Sequence, residues 1–233
     1  MAHLGAPPVA AALTTMNADP LALLKLAMHD GLHPERSLHA SWLPPDWPVR
    51  RREAWGGAQA GRLMAQQLRR RGLAEDPPSL EAETPLQRLA LLDGPSLRRL
   101  AWYCGFCAHR PLLMQRGALA AHVRRQLARL DRDAVDFVID RVPPLTELRF
   151  DATALLQRPI AAGAVITQRG HRLLLGTLAP EGPLALQRVQ RKLPRRAASL
   201  RVPRLAPRQL DQLRELMLAC IVPERLPQWD WLF

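Results

Sequence analysis

Apolar residues recur along much of this chain at helical spacing, and turn or capping residues bound those stretches. Asp19-Pro20 opens a first helix, with Leu21, Leu24 and Met28 on one face and Gly31 at its end. A Trp/Pro segment follows, Trp42-Leu43-Pro44-Pro45-Asp46-Trp47-Pro48, too rich in proline for a regular element. The next helix runs from about 58 to 71 and stops at Arg69-Arg70-Arg71-Gly72, with cations in the last turn and glycine just beyond. Residues 73–83 carry Glu75, Asp76, Pro77, Pro78, Glu81 and Glu83 and read as a linker, the preferred internal boundary.

Beyond it the pattern is more regular. Thr84-Pro85 starts a helix that ends near Asp93-Gly94, and Ser96 caps another through about His109. Residues 118–130 carry Leu119, Val123, Leu127 and Leu130 at helical spacing. Asp131 caps a short helix with Val135, Val138, Ile139 and Val142 inward, closed by Pro143-Pro144. Two helices occupy 151–192, the second starting after Pro180-Glu181-Gly182-Pro183. Residues 195–208 are expected to be irregular. Pro207 then opens an amphipathic helix with Leu210, Leu213, Leu216, Met217, Cys220 and Ile221. The organisation expected is a loose tail over 1–17, an N-terminal helical region over 18–83 with the Trp/Pro loop, and a helical domain over 84–233 containing a basic loop at 195–208.

Composition sharpens the class. Isoleucine occurs only at 139, 160, 166 and 221, whereas leucine, alanine and arginine are abundant. That balance favours helices over strands. The expected fold is mainly α, a compact multi-helix orthogonal array with Pro-rich connecting loops and little or no β-sheet. The longest apolar stretch, 159–179, is interrupted by Gln168-Arg169-Gly170-His171-Arg172, which rules it out as a membrane span. The N-terminus lacks a basic region before its apolar run, and three cysteines suit a reducing compartment, so a cytoplasmic protein is expected.

The net charge of +12 raises nucleic acid as a partner. Its source tempers that, because every basic residue except Lys25 and Lys192 is arginine, a bias that GC-rich coding also produces. The densest stretch, with Arg188, Arg191, Lys192, Arg195, Arg196, Arg201, Arg204 and Arg208, contains no acid and no aromatic residue for base stacking. It suits an acidic protein surface, phosphates, or a solvated loop. The aromatics lie elsewhere, at Trp42 and Trp47 and at the end of the chain in Trp229, Trp231 and Phe233. Large aromatics and arginine anchor interfaces. The candidate partner-binding residues are therefore Trp42, Trp47, Arg188, Arg191, Arg195, Arg196, Trp229, Trp231 and Phe233, and the terminal aromatics can equally dock back onto the body.

Catalytic signals are sparse. Cys104-Gly105-Phe106-Cys107 has the spacing of a redox dithiol or half a zinc site. It lies in an apolar, helix-like stretch with no second pair, so packing is the preferred role. The acids Asp133, Asp136 and Asp140 share one helix face and read as solvated. The histidines show no metal spacing beyond His29/His33, and no phosphate loop or hydrolase motif is present. No catalytic, metal or cofactor-binding residue is assigned, and no cofactor is expected.

The order Leu97-x-x-Leu100-Ala101-x-x-x-Gly105-x-x-x-His109, Leu112-Leu113, a helix to Leu130, Asp133 to Phe137 and Val142-Pro143 resembles the central segment of the SctK/YscK family, nearest its Hrp-type branch. Gln187-Arg188-Val189-x-x-Lys192-Leu193-Pro194, the helix over 208–221 and terminal Leu232-Phe233 extend the likeness, which covers roughly 84–233. The resemblance implies a non-enzymatic, cytoplasmic adaptor of bacterial type III secretion. Such an adaptor sits in the sorting platform between the inner-membrane ring protein (SctD type) and the C-ring-like pod protein (SctQ type). An Arg-rich nucleic-acid-binding regulator is the alternative.

Overall fold

The computed structural model describes residues 19–43, 58–74, 82–148 and 150–233, with the side chains at 58–60 and 154 excepted. Among these residues the regular elements are all helical, in line with the mainly α class expected from composition. The helices are α1 (Pro20–Leu32), α2 (Pro34–Ser37), α3 (Ala58–Arg70), α4 (Pro85–Arg88), α5 (Gly94–Ala108), α6 (Arg110–Met114) and α7 (Ala118–Leu130). They continue with α8 (Arg132–Asp140), α9 (Thr153–Gln157), α10 (Ala162–Leu178), α11 (Pro183–Lys192), α12 (Arg195–Ala198), α13 (Pro207–Glu215) and α14 (Val222–Arg225). No helix among the described residues is long and apolar enough to cross a membrane.

Local chemistry explains most boundaries. Asp19 accepts from Leu21 N at 3.0 Å and Asp131 accepts from Ala134 N at 2.8 Å, as N-caps do. Thr84 and Gln87 form a reciprocal capping box at the start of α4. Helix α3 ends as its sequence suggests: Gly72 takes a positive φ of 66°, and Leu73 N reaches back to Leu68 O at 2.8 Å. Helix α5 departs from expectation. Asp93, not Ser96, is its cap, with Ser96 N donating to Asp93 Oδ1 at 2.7 Å. Residues 195–208 are only partly irregular, because α12 forms inside them.

The core forms around α5 and α10, the most extensively paired helices of the molecule. Their backbones meet at two glycines. A Cβ on Gly105 would strike the Ile166 carbonyl oxygen, and one on Gly170 would strike that of Ala101. Gly170, which interrupts the apolar run in the sequence, is thus the point of closest approach. Tyr103, Phe106, Phe137, Leu97, Leu100 and Leu127 fill the space around the crossing. In α7, Val123 and Leu127 are buried but Leu119 and Leu130 face outward, narrowing the inward face expected of that helix.

The last helical segment contains a π-turn, Leu216–Ile221, between α13 and α14. The extra residue that such a turn admits lets Leu216, Met217, Ile221 and Val222 all reach the core. The chain then closes with a 3-10 segment over Pro227–Leu232.

Candidate interaction surface

The C-terminal end of α11 carries much of the expected basic stretch, and the fold uses it internally. Lys192 is buried. Its ammonium bonds Asp30 Oδ1 at 2.8 Å, Ala90 O at 2.6 Å and Leu92 O at 3.2 Å. Three donors meet three oxygens, which satisfies the group completely. Burial pulls its pKa below the ordinary lysine value, and the Asp30 carboxylate opposes that shift. Lys192 therefore joins α1 to the body. Arg188, on the same helix, is also buried.

A strap over residues 38–43 lies against this end. His39 N donates to Arg191 O at 2.9 Å, and Trp42 Nε1 donates to Leu193 O at 3.0 Å. Arg195 N donates to Ser41 Oγ at 2.8 Å while its guanidinium sits 5.5 Å from the Trp42 ring. Arg191 also donates to Gly72 O at 3.0 Å. The structure thus brings Trp42, Arg191 and Arg195 together in an intramolecular clasp. Arg196 remains exposed. Trp47 lies outside the described residues.

The terminal aromatics divide between body and surface. Trp229 Nε1 donates to Ser96 Oγ at 2.9 Å, and Arg88 donates to Leu232 O at 3.2 Å. Leu232 is buried and Phe233 packs half-buried against the core, so the tail docks back. Trp231 stays exposed.

Groups with catalytic potential are enclosed. Cys104 and Cys107 lie buried within α5, and burial pushes both thiols up, away from the reactive thiolate. His109 is buried at the end of α5. Its Nδ1–H donates to Gly105 O at 2.7 Å, and Nε2 accepts from Arg169 at 2.6 Å. This pattern fixes the neutral tautomer. Burial lowers its pKa to about 4, with the Arg169 charge acting in the same direction against the Gly105 bond. Phe150 stacks on the ring, and Arg169 lies over Phe150. Asp133, Asp136 and Asp140 are exposed, and Asp136 pairs with Arg132 at 3.7 Å. Helix α1 continues past Gly31, so His29 and His33 share a neighbourhood: Arg36 donates to His29, and His33 bonds Glu35 at 3.1 Å. Among the described residues, no group of three His, Cys, Asp or Glu side chains is arranged to hold a metal ion.

Two features of the surface remain. Arg172, Arg201 and Arg204 line a shallow cleft with Val202 and Pro203, and no carboxylate among the described residues pairs with them. Arg172 Nε donates to Arg201 O at 3.2 Å, and Gly176 lets Pro203 and Leu205 close onto α10. Large apolar side chains also stand exposed, including Leu21, Leu24, Met28, Leu32, Leu63, Leu119 and Ile160. The burial of Lys192 and Arg188 was invisible in the sequence, where both read as members of a solvated charge run. Comparison with protein-family models, with curated proteins and with solved structures finds no match to this chain.

Proposed function

We propose that this chain is a non-enzymatic adaptor of a bacterial type III secretion system, linking an SctD-type ring protein to an SctQ-type pod protein at the cytoplasmic face of the inner membrane. The order of residues over 84–233 that resembles the SctK/YscK family supplies the secretion assignment. The observation that carries the adaptor part is the placement of chemistry-bearing groups. The paired thiols and His109 are sealed in the helical interior, whereas large apolar side chains and arginines stand at the surface. Aromatic, apolar and arginine side chains on a fixed body are what protein interfaces use. Exposed members of the expected set, Arg195, Arg196 and Trp231, are available for this, while half-buried Trp42, Arg191 and Trp229 shape the surface through their contacts with the body. Co-purification of the tagged chain with each partner separately tests the reading. Retention of both at moderate salt supports it, and failure of both contradicts it.

The arginine cleft favours one competing reading, a nucleic-acid-binding regulator. That reading requires affinity for duplex or single-stranded probes that falls steeply with salt. A flat titration at low salt removes it.

A further inference from the structure

Arg172 stands on α10, and Arg201 and Arg204 stand on the segment that follows α12; all three are exposed. They line one open cleft with Val202 and Pro203. The fold holds this arrangement in place. Arg172 Nε donates to Arg201 O at 3.2 Å, which ties the helix to the segment and leaves the two terminal nitrogens of that guanidinium uncommitted among the described residues. Val202 and Leu205 pack against the core. Gly176 admits the segment, since a Cβ there would lie 2.9 Å from Pro203 Cγ. Among the described residues, the Arg172 bond is the one hydrogen bond these three side chains make, and none of the three pairs with a carboxylate. Like charges gathered in one place repel. Nothing in the fold uses the guanidiniums of Arg201 and Arg204, so packing does not account for their gathering beside Arg172.

The charge and geometry of guanidinium choose the occupant. Its planar fork of donors matches the oxygens of carboxylate and phosphate. A carboxylate brings one charge and two oxygens, too little for three forks around one cleft. A phosphate monoester brings nearly two charges and three terminal oxygens at neutral pH. A nucleic-acid backbone brings one charge per phosphate, and no aromatic side chain lines the cleft for its bases to stack on. We propose that the cleft of Arg172, Arg201 and Arg204 binds the dianionic head of a phosphate monoester, either free or on a lipid. This site goes beyond the adaptor reading and stands without it.

The probe is phenyl phosphate, with diphenyl phosphate and benzoate as its diester and carboxylate counterparts, titrated calorimetrically into the full chain at low salt and pH 7.5. Phenyl phosphate binds more tightly than either counterpart by about tenfold or more. Arg201→Gln/Arg204→Gln weakens it by about tenfold or more with an unchanged melting temperature. Arg125→Gln/Arg129→Gln, which removes the same charge from the exposed face of α7, leaves it unchanged. No binding by the wild-type chain, equal loss in both variants, or equal affinity for benzoate or the diester overturns the site. Sedimentation with phosphatidylcholine vesicles carrying phosphatidic acid or phosphatidylglycerol distinguishes the sources. Sedimentation with phosphatidic acid alone, lost in Arg201→Gln/Arg204→Gln, supports the site and assigns it to a lipid headgroup. Phenyl phosphate binding without sedimentation supports it and assigns a free phosphate. Equal sedimentation with both lipids overturns the choice of a monoester. So does binding of a single-stranded DNA without terminal phosphates that Arg201→Gln/Arg204→Gln abolishes, since it gives the cleft to nucleic acid.

Discussion

The two ends of the described structure are held together by different physics. From Pro85 onward, a continuous apolar core is organised about the crossing of α5 and α10, where backbone meets backbone at Gly105 and Gly170. Shape alone specifies that contact, because only glycine admits it. The region before it has a separate small cluster of Leu38, Met64 and Leu68. It joins the body through the Leu23, Leu26 and Ala27 face of α1 and through polar latches, Lys192 with Asp30 and the Trp42 clasp. The body is therefore sensitive to volume, and the N-terminal region to the loss of single polar partners.

The largest expected effect breaks the latch. Lys192→Met leaves the Asp30 carboxylate and two buried carbonyls without their partner, and costs about 4 kcal/mol in urea unfolding. Asp30→Asn combined with Lys192→Met recovers part of this, since no charge is then left uncompensated. Full additivity of the two single losses would show that the pair is not coupled.

The crossing comes next. Gly170→Ala pushes a methyl group into the Ala101 carbonyl and costs about 3 kcal/mol, or a fall in melting temperature of roughly 10 °C. A change within 1 °C would mean that the two helices part freely and that shape does not specify the body.

Acid probes the same interior. Above pH 6.5, His109 is neutral in both folded and unfolded chains. As pH falls from 6.5 towards 4, the unfolded chain takes up a proton that the buried ring refuses. Stability is therefore lost across that window, by about 3 kcal/mol if His109 acts alone. The lowered pKa of His171, also caused chiefly by burial, adds in the same direction. His109→Gln flattens the pH dependence of the urea midpoint. An unchanged slope would show that the ring is not buried as described.

The smallest effect sharpens the contrast. Trp42→Phe removes the bond to Leu193 O and costs about 1 kcal/mol. Its loss of amide protection is confined to the strap over 38–43, with the α5–α10 crossing unaffected. Protection lost equally in both regions would erase the distinction between them.

The sequence carried the helix ends most faithfully, because capping is local chemistry. Asp19, Thr84, Asp131 and Gly72 act where their neighbours suggest. Facing was harder to read. The periodicity of Leu21, Leu24 and Met28 is real, but a second stripe at Leu23, Leu26 and Ala27 wins the core, and periodicity does not say which of two apolar faces turns inward. Gly105 and Gly170 were present as mid-helix glycines, a costly choice that signals close packing, yet their pairing is a tertiary fact. Lys192 reads as surface in any pattern that equates charge with exposure, and its three oxygen partners come from distant segments. The π-turn at 216–221 leaves no local mark, because it differs from a helix by a single inserted residue.

The central claim is that this chain bridges two other proteins. Size-exclusion chromatography with light scattering on the ring protein's cytoplasmic domain, the pod protein and this chain tests it most directly. The account predicts that ring domain and pod protein run separately as a pair and co-elute as one ternary complex when this chain is added. Separate elution of all three, or ring and pod associating equally well without it, would contradict the account.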